Sequence, residues 1–93
     1  MAESERAQHI TRTPTEIFQP LSMTLEDESH LHRGHVGATT GKGQFRLRIV
    51  ASAFTGTTAL ARHRMVYSAL AELFESDIHA LCITALSPDE SAR

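Results

Sequence analysis

Two strand-like runs, QFRLRIVAS (44–52) and IHALCITAL (78–86), stand on either side of 25 residues with helical spacing. That arrangement limits the folds open to the chain more than any other feature. In the first run Phe45, Leu47, Ile49 and Ala51 fall on one face and Arg46, Arg48 and Val50 on the other. This is the period of two that a strand with one buried face requires. The second run is apolar on both faces, which suits a well-covered strand. Between them, after an FTGT turn, Met65, Val66, Ala69, Leu70 and Leu73 form a helical stripe in a segment running to about Phe74. A helical connection of that length crosses over the sheet and lays the two strands side by side in parallel.

Upstream, LSMTLED (21–27) alternates Leu21, Met23 and Leu25 with polar residues and predicts another half-buried strand, antiparallel to the next. Ala7, Ile10, Ile17 and Phe18 have helical spacing, but Pro14 interrupts them. TPTE (13–16) also reads as a fresh start, with Thr13 as N-cap and Glu16 closing a capping box, so a broken or late-starting helix ending near Pro20 is expected. SPDE (87–90) repeats that signature and predicts a last helical turn. The whole is an α+β fold: a three-stranded mixed sheet in the order 1-2-3, strands 2 and 3 parallel, with helices packed on one face.

With 93 residues the chain makes one domain. No apolar run approaches the roughly 20 residues that cross a bilayer. The N-terminal MAESERAQH has neither an apolar core nor the acid-free character of a targeting peptide, so a cytoplasmic location is expected. Cys82 is the only cysteine, which excludes an internal disulfide and the usual cysteine-rich zinc site.

The net charge of −2 conceals an asymmetry: no Asp or Glu occurs from Arg33 to Ala71, where Arg33, Lys42, Arg46, Arg48, Arg62 and Arg64 all lie. The pattern fits either ordinary patchiness or a basic surface aimed at phosphate or an acidic partner. GATTGKGQF (37–45) is not a phosphate-binding loop, because Val36 and Gly43 replace required residues and a strand follows. No nucleophile elbow or HExxH pattern is present, and a non-enzymatic role is expected.

SHLHRGH (29–35) places His30, His32 and His35 within a long glycine-containing loop spanning 28–43. Metal ligation, a pH-sensitive surface and a merely polar loop all remain open for these imidazoles. His63 sits between Arg62 and Arg64 at a helix start, and His79 opens the last strand. Strict alternation puts His79 on the face of Leu81 and Ile83, with Cys82 opposite; the two then share a metal only if the strand is distorted.

Read together, several stretches resemble the BolA family. They are FQP (18–20), LEDESHLH (25–32), QFRLRIVASAFTG (44–56), the Arg-His-Arg helix ARHRMVYSALAELF (61–74) and the His-Ala-Leu strand IHALCITALSP (78–88). The likeness covers about residues 17–88 of a single domain, leaving 1–12 and 89–93 as ends expected to be poorly ordered. The resemblance implies a class II KH-like fold and partnership with a monothiol glutaredoxin. It further implies a shared [2Fe–2S] cluster, for which the glutaredoxin provides its cysteine and a bound glutathione thiol. The BolA-like partner provides imidazoles: His79 from the strand and His32 from the loop, with His30 and His35 as alternates. A second implied role is transcriptional regulation through DNA, with Arg62, Arg64, Arg46, Arg48 and Lys42 as phosphate contacts. The GxxG clamp of KH domains is absent after Gly56, so sequence-specific recognition is not expected.

Overall fold

A computed structural model of the chain describes residues 2–28 and 43–92. The elements are α1 (Ala2–Phe18), β1 (Ser22–Asp27), β2 (Gly43–Val50), a 3-10 turn (Ser52–Phe54), α2 (Ala59–Ala69), α3 (Leu73–Ser76), β3 (Ile78–Leu86) and α4 (Pro88–Ser91). β2 is central and organises the rest. Its inward residues Phe45, Leu47 and Ile49 are buried, while Arg46 and Arg48 are exposed on the opposite face. β1 runs antiparallel to it, placing Met23 opposite Ile49 and Leu25 opposite Leu47. β3 runs parallel to it on the other side, placing Leu81 opposite Phe45 and Ile83 opposite Leu47. The order β1-β2-β3 and both orientations agree with the sequence reading. Leu21, expected on the buried face of β1, precedes the strand and is exposed.

The crossover from β2 to β3 is shaped by three local devices. Gly56 takes φ +76 in the turn, a left-handed conformation that side-chain-bearing residues rarely adopt. Thr58 then caps α2, its Oγ1 accepting from the Ala61 N–H at 3.1 Å. Val66 and Leu70 of α2 are buried against the sheet. The helix expected to reach Phe74 ends at Ala69 instead. From there the N–H groups of Ala71, Leu73, Phe74 and Glu75 donate three residues back rather than four. That tightening into 3-10 geometry turns the chain early and returns it to the sheet as α3 and β3.

α1 is continuous through Pro14, so the expected late start is corrected. A proline in a helix interior costs roughly 3 kcal/mol. Here its ring is fully buried beside the core residue Ile10, and tertiary burial outweighs local propensity. Thr11 and Thr15 donate side-chain hydrogen bonds to the carbonyls of Ala7 (3.0 Å) and Thr11 (2.7 Å), the back-bonding to the preceding turn that threonine makes within a helix. Gln19, at φ 47, stops the helix ahead of Pro20. The Phe18 and Phe54 rings, 5.2 Å apart, join the end of α1 to the 3-10 turn.

Candidate functional site

His79 stands where β3 departs from regular pairing. Gly43 pairs with Ile78 and Gln44 with Ala80, so two steps along β3 match one along β2 and His79 is the extra residue. The consequence shows in the burial pattern. Ile78 is 1% and Leu81 7% exposed, three positions apart, while His79 and Ala80 between them are exposed. The expectation that His79 shares the face of Leu81 and Ile83 is therefore corrected. The bulge lets Ile78 fill the core, worth about 2 kcal/mol of apolar burial, and spares the imidazole desolvation. No described residue hydrogen-bonds or ion-pairs with the His79 side chain.

The base of the histidine-rich segment lies beside this position. The Glu28 N–H donates to the Gln44 carbonyl at 2.7 Å, and the Gly43 N–H donates to the Asp77 carbonyl at 2.8 Å. The segment thus leaves from a residue bonded to Gln44 and returns at Gly43, the pairing partner of Ile78. His30, His32, His35 and Lys42 lie outside the described residues. Among the described residues no three His, Cys, Asp or Glu side chains gather as a metal site. Cys82 is exposed on the sheet face away from the helices, opposite Arg46 in the register. Arg46 holds Glu28 at 3.1 Å (Nε to Oε2) and approaches the Cys82 sulfur at 3.5 Å.

The four described basic residues among those proposed from sequence do not form one surface. Arg62 is a structural residue, correcting its assignment as a phosphate contact. It is 9% exposed, and its guanidinium donates to Thr57 Oγ1 (3.0 Å), to the Ala85 carbonyl (3.0 Å) and to Glu90. Glu90 in turn closes a capping box with Ser87, accepting from the Ser87 N–H at 2.7 Å. That backbone bond, the Arg62 side chain and the Ser87 hydroxyl together lower the Glu90 carboxyl to about 2. Arg62 therefore ties the start of α2 to the end of β3 and to α4. Arg46 is engaged by Glu28. Arg48 and Arg64 are exposed, but Arg48 is on the open face of the sheet and Arg64 is on the helical layer. His63 stacks on Tyr67 at 4.7 Å, and the Tyr67 hydroxyl donates to the Leu81 carbonyl at 3.3 Å. Sequence spacing carried a trace of the Arg62 clamp only in the capping box, which positions Glu90; nothing local pointed Arg62 toward it.

Comparison with known proteins agrees with this architecture. The family described as BolA-like protein matches residues 15–90. Protein BOLA1, chloroplastic, of Arabidopsis thaliana is 33% identical over 93 residues, covering 97% of this chain and 58% of that protein. The DNA-binding transcriptional regulator BolA of Escherichia coli (strain K12) is 39% identical over 66 residues, covering 71% of this chain and 60% of that protein. The chain thus spans a little under two thirds of the length of these two relatives. The solved BolA domain of SufE1 from Arabidopsis thaliana superposes with a TM-score of 0.80 at 36% identity, over 91% of this chain and 94% of that domain. A family match over most of the chain and a close superposition on a solved domain leave one assignment: the chain belongs to the BolA-like family.

Proposed function

We propose that the protein is a non-enzymatic partner of a monothiol glutaredoxin and co-ligates a [2Fe–2S] cluster through His79 and His32, with His30 and His35 as alternates. The observation that carries this reading is the bulge. It holds an imidazole in solvent, without a partner among the described residues, at the base of the segment that bears three more histidines. The donor chemistry fits a shared centre, since the described residues offer ligands for part of a coordination shell only. When bound, the cluster would supply one-electron chemistry, and imidazole ligation raises its potential relative to all-thiolate ligation. The chain's own task is to present neutral imidazole nitrogen at a fixed strand position and to contribute contact surface. A reducing compartment such as the cytoplasm suits a lone exposed thiol at Cys82. No described helix is long and apolar enough to cross a membrane.

The test is anaerobic co-reconstitution with a monothiol glutaredoxin and glutathione, read by visible absorption and circular dichroism. His79→Ala is expected to alter or abolish the visible dichroism while leaving the chain's thermal stability within about 0.5 kcal/mol, because the side chain is exposed and unpartnered. His32→Ala is expected to shift the spectrum as well. An unchanged spectrum for His79→Ala refutes the ligand assignment. The DNA-binding role in the name of the Escherichia coli relative finds weaker support here, since Arg62 is internal and Arg48 and Arg64 point from opposite sides of the sheet.

A further inference from the structure

α1 and α2 leave a groove between them. One cavity of about 610 Å³ lies between His9, Arg12 and Thr13 of α1 and the end of α2 with the turn beyond it. A second, of about 530 Å³, lies between Ile17 and Phe18 of α1 and Arg64 and Met65 of α2. Ser68 and Ala69 border both, so the cavities are two halves of one channel with a small-residue floor. Early residues of α1 face the end of α2 and late residues face its middle, so the two helices run antiparallel.

The walls are unusual for a solvated seam. Ile17 is 57% exposed. The guanidinium groups of Arg12 and Arg64 have neither an ion pair nor a hydrogen bond to any described residue, unlike those of Arg46 and Arg62. His9 adds a third basic group, with Asp77 3.8 Å from its Nδ1. Against these, Glu72 is the one carboxylate bordering the groove among the described residues. An apolar seam flanked by two uncompensated guanidinium groups, those of Arg12 and Arg64, is complementary to an apolar stripe flanked by acids.

We propose that this groove docks an amphipathic α-helix of a protein partner whose apolar stripe is edged by Asp or Glu. A third helix laid along two antiparallel ones packs at roughly 8–10 Å between axes, and small floor residues allow the near end of that range. From His9 to Phe18, α1 rises about 14 Å, which matches about two and a half turns of a docked helix. Arg12 stands on the α1 wall near one end and Arg64 on the α2 wall near the other. The matching carboxylates therefore belong on opposite edges of the stripe, toward opposite ends. His79 borders neither cavity, so the proposal stands apart from the iron–sulfur reading.

The probe is a capped synthetic helix of roughly 14 residues, with leucines at i, i+3, i+4 and i+7 and flanking glutamates, titrated into the isotopically labelled protein. A lysine-flanked version of the same peptide is the control. Binding of the glutamate peptide is expected to shift the amides of Ile17, Ser68 and Ala69. Reversing both charges, Arg12→Glu with Arg64→Glu, is expected to weaken it about fivefold to tenfold, as two exposed ion pairs allow, and to favour the lysine peptide. His79→Ala is expected to bind as the wild type does. Circular dichroism verifies that the double variant folds; if it does not, Arg64→Gln is read alone against the same two peptides. Equal binding of both peptides, or shifts confined to another face, overturns the proposal. So does self-association that occupies the groove, or duplex DNA competing for the same amides with higher affinity.

Discussion

Replacing Arg62 by methionine isolates the guanidinium from the rest of the side chain. Methionine keeps most of the apolar stem that packs in the protein and removes the donors to Thr57, Ala85 and Glu90. The Ala85 carbonyl and the Thr57 hydroxyl lose a charged donor in a site where the Arg62 side chain is only 11% exposed. Two such bonds contribute about 3 kcal/mol together, taking the low end of the range for charged partners. The carboxylate of Glu90, whose side chain is 38% exposed, rehydrates rather than being stranded, so the larger penalty of an orphaned buried charge does not apply. For a domain of this size the loss lowers the melting midpoint by roughly 10–20 °C. Thermal and urea unfolding, followed by circular dichroism, measure it. Arg64→Met is the control and is expected within about 0.5 kcal/mol of wild type. A melting point for Arg62→Met within a few degrees of wild type, together with reduced affinity for duplex DNA, would refute the clamp and restore Arg62 as a phosphate contact.

Glu90 carries a pH signature. Its carboxyl is lowered from 4.5 to about 2 in the folded chain, so its contribution is fully present above the ordinary value and fades as pH falls from there toward about 2. The difference in melting point between wild type and Glu90→Gln should shrink across that acid window; a constant difference contradicts the assignment. Pro14→Ala restores a helical N–H and about 3 kcal/mol of propensity, but removes two buried ring methylenes worth about 1.6 kcal/mol and the proline's restraint on the unfolded chain, about 0.4–1 kcal/mol. The variant should fall within about 1 kcal/mol of wild type in urea, and a loss of several kcal/mol means the ring fills space that the helix cannot close. Gly56→Ala meets no steric neighbour within 4 Å but keeps φ +76; a cost of about 1–2 kcal/mol in the same assay is expected from strain alone, and none at all would mean that the turn relaxes.

Where the sequence was legible, a single physical constraint dominated. Phe45, Leu47 and Ile49 alternate with Arg46 and Arg48, and only one strand register buries the first set. Ser87 and Glu90 announce the start of α4 because caps are local chemistry. Pro14 misled for the same reason: its local meaning is a break, and only the burial of its ring beside Ile10 reverses that. Arg62 was misassigned because its partners are 23 and 28 residues away, beyond the reach of any spacing rule.

The bulge at His79 is the most instructive case. Counting by twos from Leu81 places an imidazole in the core, and counting by twos from Ile78 places Leu81 in solvent. Neither register buries both apolar residues, so a regular strand would sacrifice about 2 kcal/mol on one of them. Inserting one unpaired residue resolves the conflict, at the cost of a local break in the ladder next to Gly43, which has no side chain to hinder it. The residue expelled is the one that can coordinate metal. Ile78 and Leu81 thus hold His79 outward by occupying the core themselves, and the imidazole's position follows from its neighbours' hydrophobicity. It follows that Ile78→Thr, which weakens the inward pull at the bulge, should disturb the visible dichroism of a reconstituted complex even though Ile78 cannot bind metal.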